Sequence, residues 1–487
     1  MGQIPFVGPT YQSQSVVIDA SRSVNFYPEI NQQDSKSIIS LVGTPGTDLW
    51  ATVGTGIIRG KHVFNSLLFV VSGNKLYSVT TGGVATERGT LSTSTGPVSM
   101  QDNGIASAGV GGNQLIIVDG TSGYIYNVST LAFVTITDPD FPTNPTTVAY
   151  LDGYFIVSKS GSMTFHVSDL YNGLSWNALA TANIVGSPDP IQAVVAANQQ
   201  LWFLKSVTSE IWYNNSVATS VGSPFSRISG SVYDFGIAAP FSIAKGGGGL
   251  FFLANVRVGD IGSLIGVVKS VGGSPTFITP TAIAYRMKQL STVSDAIGYC
   301  YVDVGHAFYV ITFPTADATY VYDDTSQMWH ERSYYKGSAY AVGRHIGNCY
   351  AWFAGKHLIG DYRANGKIYE MSQNHYDDDG QPLVAVRTAQ HIYDKEKLRR
   401  QFFHKVQVDA ETGIGTVAVT NPVAALSWSD DGGRTFSSDY DAAMGAIGQY
   451  KTRMIWRRLG SSYDRVFRLT ISDAVKRVIL GAYAEIT

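Results

Sequence analysis

Residues 148–167 read VAYLDGYFIVSKSGSMTFHV: an apolar run, the turn pair Asp152-Gly153, a second apolar run, a Ser/Gly break and a third run. Asp-Gly between strand-forming residues supplies the positive φ angles of a two-residue hairpin turn. Outward from this stretch the same phrase recurs as LLFVVSGNKLYSV (67–79), QLIIVDGTSGYIYNV (114–128), QQLWFLKSVTSEIWYN (199–214), GGLFFLANVRVGDIGSLIGVV (248–268), HAFYVITFPTADATYVYDD (306–324) and CYAWFAGKHLIGDYRANGKIYEM (349–371). The starting points lie 34 to 58 residues apart, 47 on average. One four-stranded propeller blade takes about 40 to 50 residues. The spacing predicts an all-β fold with a β-propeller over 59–375, of about seven blades with six also compatible; a pair of β-sandwiches is the rival arrangement.

Composition agrees with that reading. Charged residues make up 15% of the 487, below the roughly 25% of ordinary soluble domains, while 51 glycines, 28 tyrosines and 22 phenylalanines supply turns and strands. No stretch longer than about ten residues has helical periodicity, and no apolar run of about 18 residues exists to cross a membrane. The first twenty residues lack Lys, Arg and a continuous apolar core, so no secretion signal is expected there. Net charge is −2, which excludes a broadly basic nucleic-acid binder. It is unevenly distributed: residues 1–380 hold 20 Lys+Arg against 26 Asp+Glu, and residues 381–487 hold 15 against 11. Cys300 and Cys349 sit in separate strand-like stretches and are expected to be buried, reduced thiols.

The flanks read differently. Residues 1–58 carry Pro5, Pro9, Pro28 and Pro45, which suits an extended arm or a strand that closes the ring. At 374–382, NHYDDDGQP concentrates turn residues. From 383 to 487 the runs VAVRTA, KVQVDAE, GTVAVT, AALSWSDD, RMIWRRL, RVFRLTIS and VKRVILGAYAEI alternate at period two, predicting a separate antiparallel β-sandwich.

Local motifs narrow the chemistry. Ser429, Asp431, Gly433, Thr435 and Phe436 fit the Asp-box pattern S-x-D-x-G-x-T-[WF], a hairpin held by its Asp and Thr side chains. Sialidases carry such boxes repeatedly, but one box outside the propeller gives no catalytic constellation. In the DDDG stretch, the first and twelfth positions of a calcium loop would fall on His375 and Val386, so Asp377–Asp379 are expected to form a solvated turn. The nine histidines show no metal-ligand spacing, KGGGGL (245–250) lacks the helix a phosphate cradle needs, and no nucleophile motif occurs. No catalytic, cofactor or metal residue is therefore assigned. Trp202, Trp212, Trp329 and Trp352 could stack on sugars, but at strand spacing they are expected in the core. Two basic stretches remain: Lys395, Lys397, Arg399, Arg400 and Lys405, then Lys451, Arg453, Arg457 and Arg458. They suit assembly contacts or DNA-channel contacts; Asp394 and Glu396 within the first favour assembly.

The stretch LSWSDDGGRTFS (426–437), followed by GAIGQYKTRMIWRRLGSSYDRVFRLTISDAVKRVILGAYAEI (445–486), resembles the end of the packaged-DNA stabilisation family, the tail hub or nozzle proteins of short-tailed bacteriophages. RSVNFYPEI (22–30) with TPGT (44–47) is similar to that family's start. The resemblance implies a non-enzymatic virion protein of the tail, made in the host bacterial cytoplasm. It implies a homo-oligomeric ring of six with a portal-adaptor ring above and a plug, needle or tail fibres below or around it. Such a ring extends the portal channel, helps retain packaged DNA through transient contact, takes part in ejection, and inserts in no membrane of its own.

Overall fold

The computed structural model describes residues 1–105, 112–257, 262–338, 340–341 and 343–487. Six antiparallel sheets, each made of consecutive strands, succeed one another around an axis. Their innermost strands are Ile58–Phe64, Ser99–Asp102, Pro145–Leu151, Ile191–Ala197, Ala244–Gly246 and Ile297–Asp303. A seventh sheet is composite: Gly347–Phe353, Lys356–Asp361 and Lys367–Ser372 are completed by Gly46–Thr52 from the other end of the chain. The ring closes because Gly347–Phe353 packs against Ile58–Phe64.

The apolar phrases of the sequence correspond chiefly to the second and third strands of each blade. Leu67–Ser72 has Leu68, Phe69, Val70 and Val71 all fully buried, because a middle strand is covered by blades on both faces. Outer strands such as Ala85–Thr90 are largely solvated, so they leave no apolar signal. One α-helix, Thr281–Lys288, stands among the described residues and packs Ile283 and Met287 between the fifth and sixth blades. Cys300 and Cys349 are unpaired and half-buried.

The sandwich is not confined to 383–487. One sheet runs Phe26–Ile30, Ile39–Gly43, Val478–Ile486, Gln401–Ala410 and Met454–Arg457, with Gly2–Ile4 added along Val478–Ile486. The facing sheet runs Arg22–Val24, Ala385–Thr388, Asp464–Ile471, Val423–Ser429 and Tyr440–Ala443. Ile4, Phe6, Phe26 and Leu41 from the N-terminal segment join Phe403, Trp456 and Phe467 in one core. The GTVAVT stretch forms no strand: Thr416 N donates to Val419 O at 2.8 Å and Val417 is 97% exposed. Its alternation lacks a neighbouring edge to pair with, and period two alone does not make a strand.

The two halves are joined by a dense polar seam. Val24 pairs in parallel with Glu331 of the sixth blade, and Arg22 Nε donates to the Glu331 carboxylate at 3.0 Å. Buried Asn25 donates to Ser333 O (3.0 Å) and Val384 O (2.8 Å). On the sandwich side, buried Arg387 bonds the carbonyls of Phe6 (2.6 Å) and Gly8 (2.8 Å), and Thr10 N reaches across to Trp329 O of the sixth blade at 2.8 Å. The DDDG turn belongs to this seam, which corrects its reading as solvated: Asp378 is fully buried, its Oδ1 accepts from Thr47 Oγ1 at 3.0 Å, and burial pushes its carboxyl up to about 6. Asp379 pairs with Lys367 at 2.7 Å.

Candidate assembly surface

The Asp-box connects Val423–Ser429 to Tyr440–Ala443, which pair in antiparallel register from Val423↔Ala443 to Leu426↔Tyr440. Asp431 accepts from Ser429 Oγ (2.7 Å), Arg434 N (2.9 Å), Thr435 N (2.9 Å) and Thr435 Oγ1 (2.6 Å). These donors stabilise the anion and hold its carboxyl well below the usual range. Gly432 and Gly433 take φ of 75° and 89°, a region costly for other residues. Phe436 is half-buried against Arg468, whose guanidinium lies 3.9 Å from the Phe436 ring and 3.9 Å from that of Tyr340, in a loop after the sixth blade. Arg465 is buried beneath the box, donating to Asp430 (2.7 and 2.8 Å) and to Leu459 O (2.5 Å). The box thus braces the sandwich against the propeller and presents no reactive group.

Chain pairing brings Lys405, Arg457 and Arg458 beside the turn that carries Lys395, Lys397, Arg399 and Arg400, at one end of the sandwich, whereas Lys451 and Arg453 lie toward the far end of the Gln401–Ala410 strand. Lys405 lies directly opposite Arg457 across neighbouring strands, and Arg458 N donates to His404 O at 3.0 Å. Lys395, Lys397, Arg399 and Arg400 follow on an exposed turn in which Asp394 Oδ1 accepts from Glu396 N (3.0 Å) and Lys397 N (3.1 Å). Lys451 and Arg453 are exposed on the approach to Met454–Arg457. Of these nine cations, Lys405 alone makes an ion pair among the described residues, with Glu485 at 3.8 Å.

Sequence reasoning missed the apolar half of this surface. Leu398 (70% exposed), Tyr463 (64%), Phe402 (53%) and Tyr393 (41%) are drawn among the cations. Phe402 pairs opposite Ser461, Tyr393 opposite Asp464, and Arg400 lies 6.0 Å over the Tyr463 ring. A signal existed: in the adjacent pair Phe402-Phe403 of a half-buried strand, one ring must face solvent. Arginine beside exposed aromatic rings is the composition of protein-interface centres.

The axis of the propeller offers far less room. All seven inner segments, from Arg59–Lys61 round to Asn348–Tyr350, line a cavity of about 280 Å³. That volume suits a small molecule, and a nucleic-acid duplex does not fit it. No cluster of His, Cys, Asp and Glu able to hold a metal occurs among the described residues, and no helix there is long and apolar enough to cross a membrane.

Fold and surface together define an all-β propeller–sandwich protein with a basic, aromatic end to its sandwich. Residues 2–376 match the family described as Bacteriophage P22 Gp10, beta-propeller, and residues 386–487 match Bacteriophage P22 Gp10, beta-sandwich. The chain belongs to this family of structural proteins of the phage tail. No curated protein sequence matches it. Among solved structures it is similar to the N-terminal domain of Nup159, at 10% identity over 72% of this chain and 99% of that one, with a TM-score of 0.39. The Neurospora crassa Pan2 WD40 domain aligns at 10% identity over 67% and 96% of the two chains, TM-score 0.42. The extracellular domain of the putative one-component system BT4673 of B. thetaiotaomicron aligns at 9% over 74% and 43%, TM-score 0.42.

Proposed function

We propose that the chain is one subunit of a six-membered hub or nozzle ring in a short phage tail. The ring lies below a portal-adaptor ring, extends the portal channel, helps retain packaged DNA, and docks a plug, needle or tail fibres. The observation that carries this reading is the arginine–aromatic end of the sandwich: of its seven cations only Lys405 makes an ion pair among the described residues, so a partner's acidic residues can satisfy the other six.

Two further points support it. The axial cavity of about 280 Å³ is too small for a duplex, which favours a path for DNA between subunits over one through a propeller. The near-neutral net charge of −2 makes contact with that DNA weak and transient, as a conduit requires. Side-to-side contacts of unlike patches close a ring when the rotation between subunits divides the circle.

The test is Arg457→Glu with Arg458→Glu, measured by mass photometry of the protein alone and with portal-adaptor complex, and by particle assembly. Both positions are exposed, so folding is retained and ring or tail assembly fails. A variant that assembles and retains DNA as the parent does would refute the assembly reading; normal particles that leak DNA would move these arginines to the channel.

A further inference from the structure

Three of the four tryptophans expected in the core are there: Trp202 is 1% exposed, Trp212 7% and Trp329 1%. Trp352 corrects the expectation, at 55% exposed. It is the penultimate residue of the innermost strand of the seventh blade, and its ring sits 4.5 Å from that of its cross-strand partner His357. His357 stacks on Tyr350 at 5.9 Å, with Tyr350 Oη and His357 Nδ1 2.9 Å apart. Tyr301 of the sixth blade meets the His357 ring edge-on at 5.9 Å. The result is a continuous aromatic wall leading outward to one open indole face.

This wall bounds a recess of about 360 Å³ that the assembly reading does not use. Across it stands Lys245, from the innermost strand of the fifth blade; its ammonium has no hydrogen bond or ion pair among the described residues, and no acidic side chain lines the recess. Val302, 60% exposed, forms the remaining apolar side. In the tautomer where Nδ1 accepts from Tyr350 Oη, His357 Nε2–H is a donor at the same wall. A flat apolar platform, one cation without a counter-charge and one neutral donor suit a ring with an apolar face, hydroxyl groups and a negative charge.

We propose that this recess binds an acidic saccharide, with a pyranose ring laid on Trp352, a ring hydroxyl accepting from His357 Nε2, and the anionic group at Lys245 Nζ. The charge complementarity selects the occupant: a neutral apolar peptide would leave Lys245 uncompensated, and a nucleic acid would need more than one cation. Binding here is independent of ring assembly, since the recess and the sandwich end use different residues.

The test uses the full chain with glucuronate-containing oligosaccharides, a hexose phosphate and a neutral glucose oligosaccharide of equal length, followed by saturation-transfer NMR and equilibrium titration. Saturable binding of the acidic probes is expected, weaker binding of the neutral one. Trp352→Ala should weaken binding at least about tenfold, as loss of a stacking aromatic does, with an unchanged thermal midpoint because the ring is exposed. Lys245→Gln should weaken the acidic probes about five- to tenfold and leave the neutral probe unaffected. Absence of saturable binding by the parent, equal binding of acidic and neutral probes, or parental affinity in Trp352→Ala overturns the proposal. A Trp352→Ala defect confined to particle assembly, with no saccharide bound by the parent, overturns it too and makes the recess a protein contact.

Discussion

Gly46→Ala probes the closure on which both halves depend. A methyl group at Gly46 would lie 2.3 Å from Asp377 O and 2.6 Å from His375 O, closer than real carbon contacts allow, and both obstacles are backbone. Neither can rotate away, so Gly46–Thr52 must shift off the last blade. That shift breaks the bond from Gly46 N to His375 O (3.0 Å) and loosens the pairing of Ser372 with Gly46 and of Asp378 with Thr47. Overpacking costs about 1–3 kcal/mol and each lost buried hydrogen bond about 1 kcal/mol. A loss of about 2–4 kcal/mol is expected, with a fall in Tm of roughly 2–4 °C for a chain of this size. Urea unfolding and scanning calorimetry measure it, with Gly2→Ala, where nothing lies within 4 Å, as the control. Protease cleavage within 1–45 should also accelerate, because that segment reaches the sandwich through this strand. A Gly46→Ala protein within about 0.5 kcal/mol of the parent would refute the claim that backbone crowding fixes the closing strand.

Three other perturbations read separate parts of the argument. Asp378 carries a folded-state carboxyl at about 6 against an ordinary 3.8, so it opposes folding once ionised: its cost is absent below about pH 4, grows between 4 and 6, and is complete above 6, at roughly 3 kcal/mol. Asp378→Asn should therefore gain on the parent as pH rises through that window in urea titrations; a gain that shrinks with pH would contradict it. Arg465→Met removes the donors to Asp430 and Leu459 O together with the cation over the Phe403 ring at 4.5 Å, and should cost about 2–4 kcal/mol in thermal unfolding. Arg465→Lys should rescue little of this, lacking the planar fork. Asp431→Ala strips four hydrogen bonds from an exposed turn; a smaller loss of about 1–2 kcal/mol is expected, seen in hydrogen exchange of 429–436 first.

The hairpin phrases alone established that the chain is all-β and built of repeating units, because a middle blade strand such as Leu67–Ser72 is buried on both faces and must be apolar throughout. The Asp-box was legible for a different reason: the hydrogen bonds that Asp431 accepts all come from within 429–435, so local sequence holds them, whereas its contacts to Arg465 and Arg468 do not show there. What sequence could not supply were relations between distant segments. Gly46–Thr52 carries no mark of pairing with Lys367–Ser372, and Ile4 or Phe26 none of belonging to a core with Trp456. Asp378 reads as part of a solvated acidic turn until Thr47 and the seam fold over it. The nine cations were visible as two stretches, but only the register of Lys405 with Arg457 gathers seven of them at one end and leaves Lys451 and Arg453 apart. Trp352 differs from Trp202 by nothing in its local alternation; blade packing covers one ring and leaves the other open. Periodicity reports how many faces of a strand are covered, and only tertiary structure decides by what.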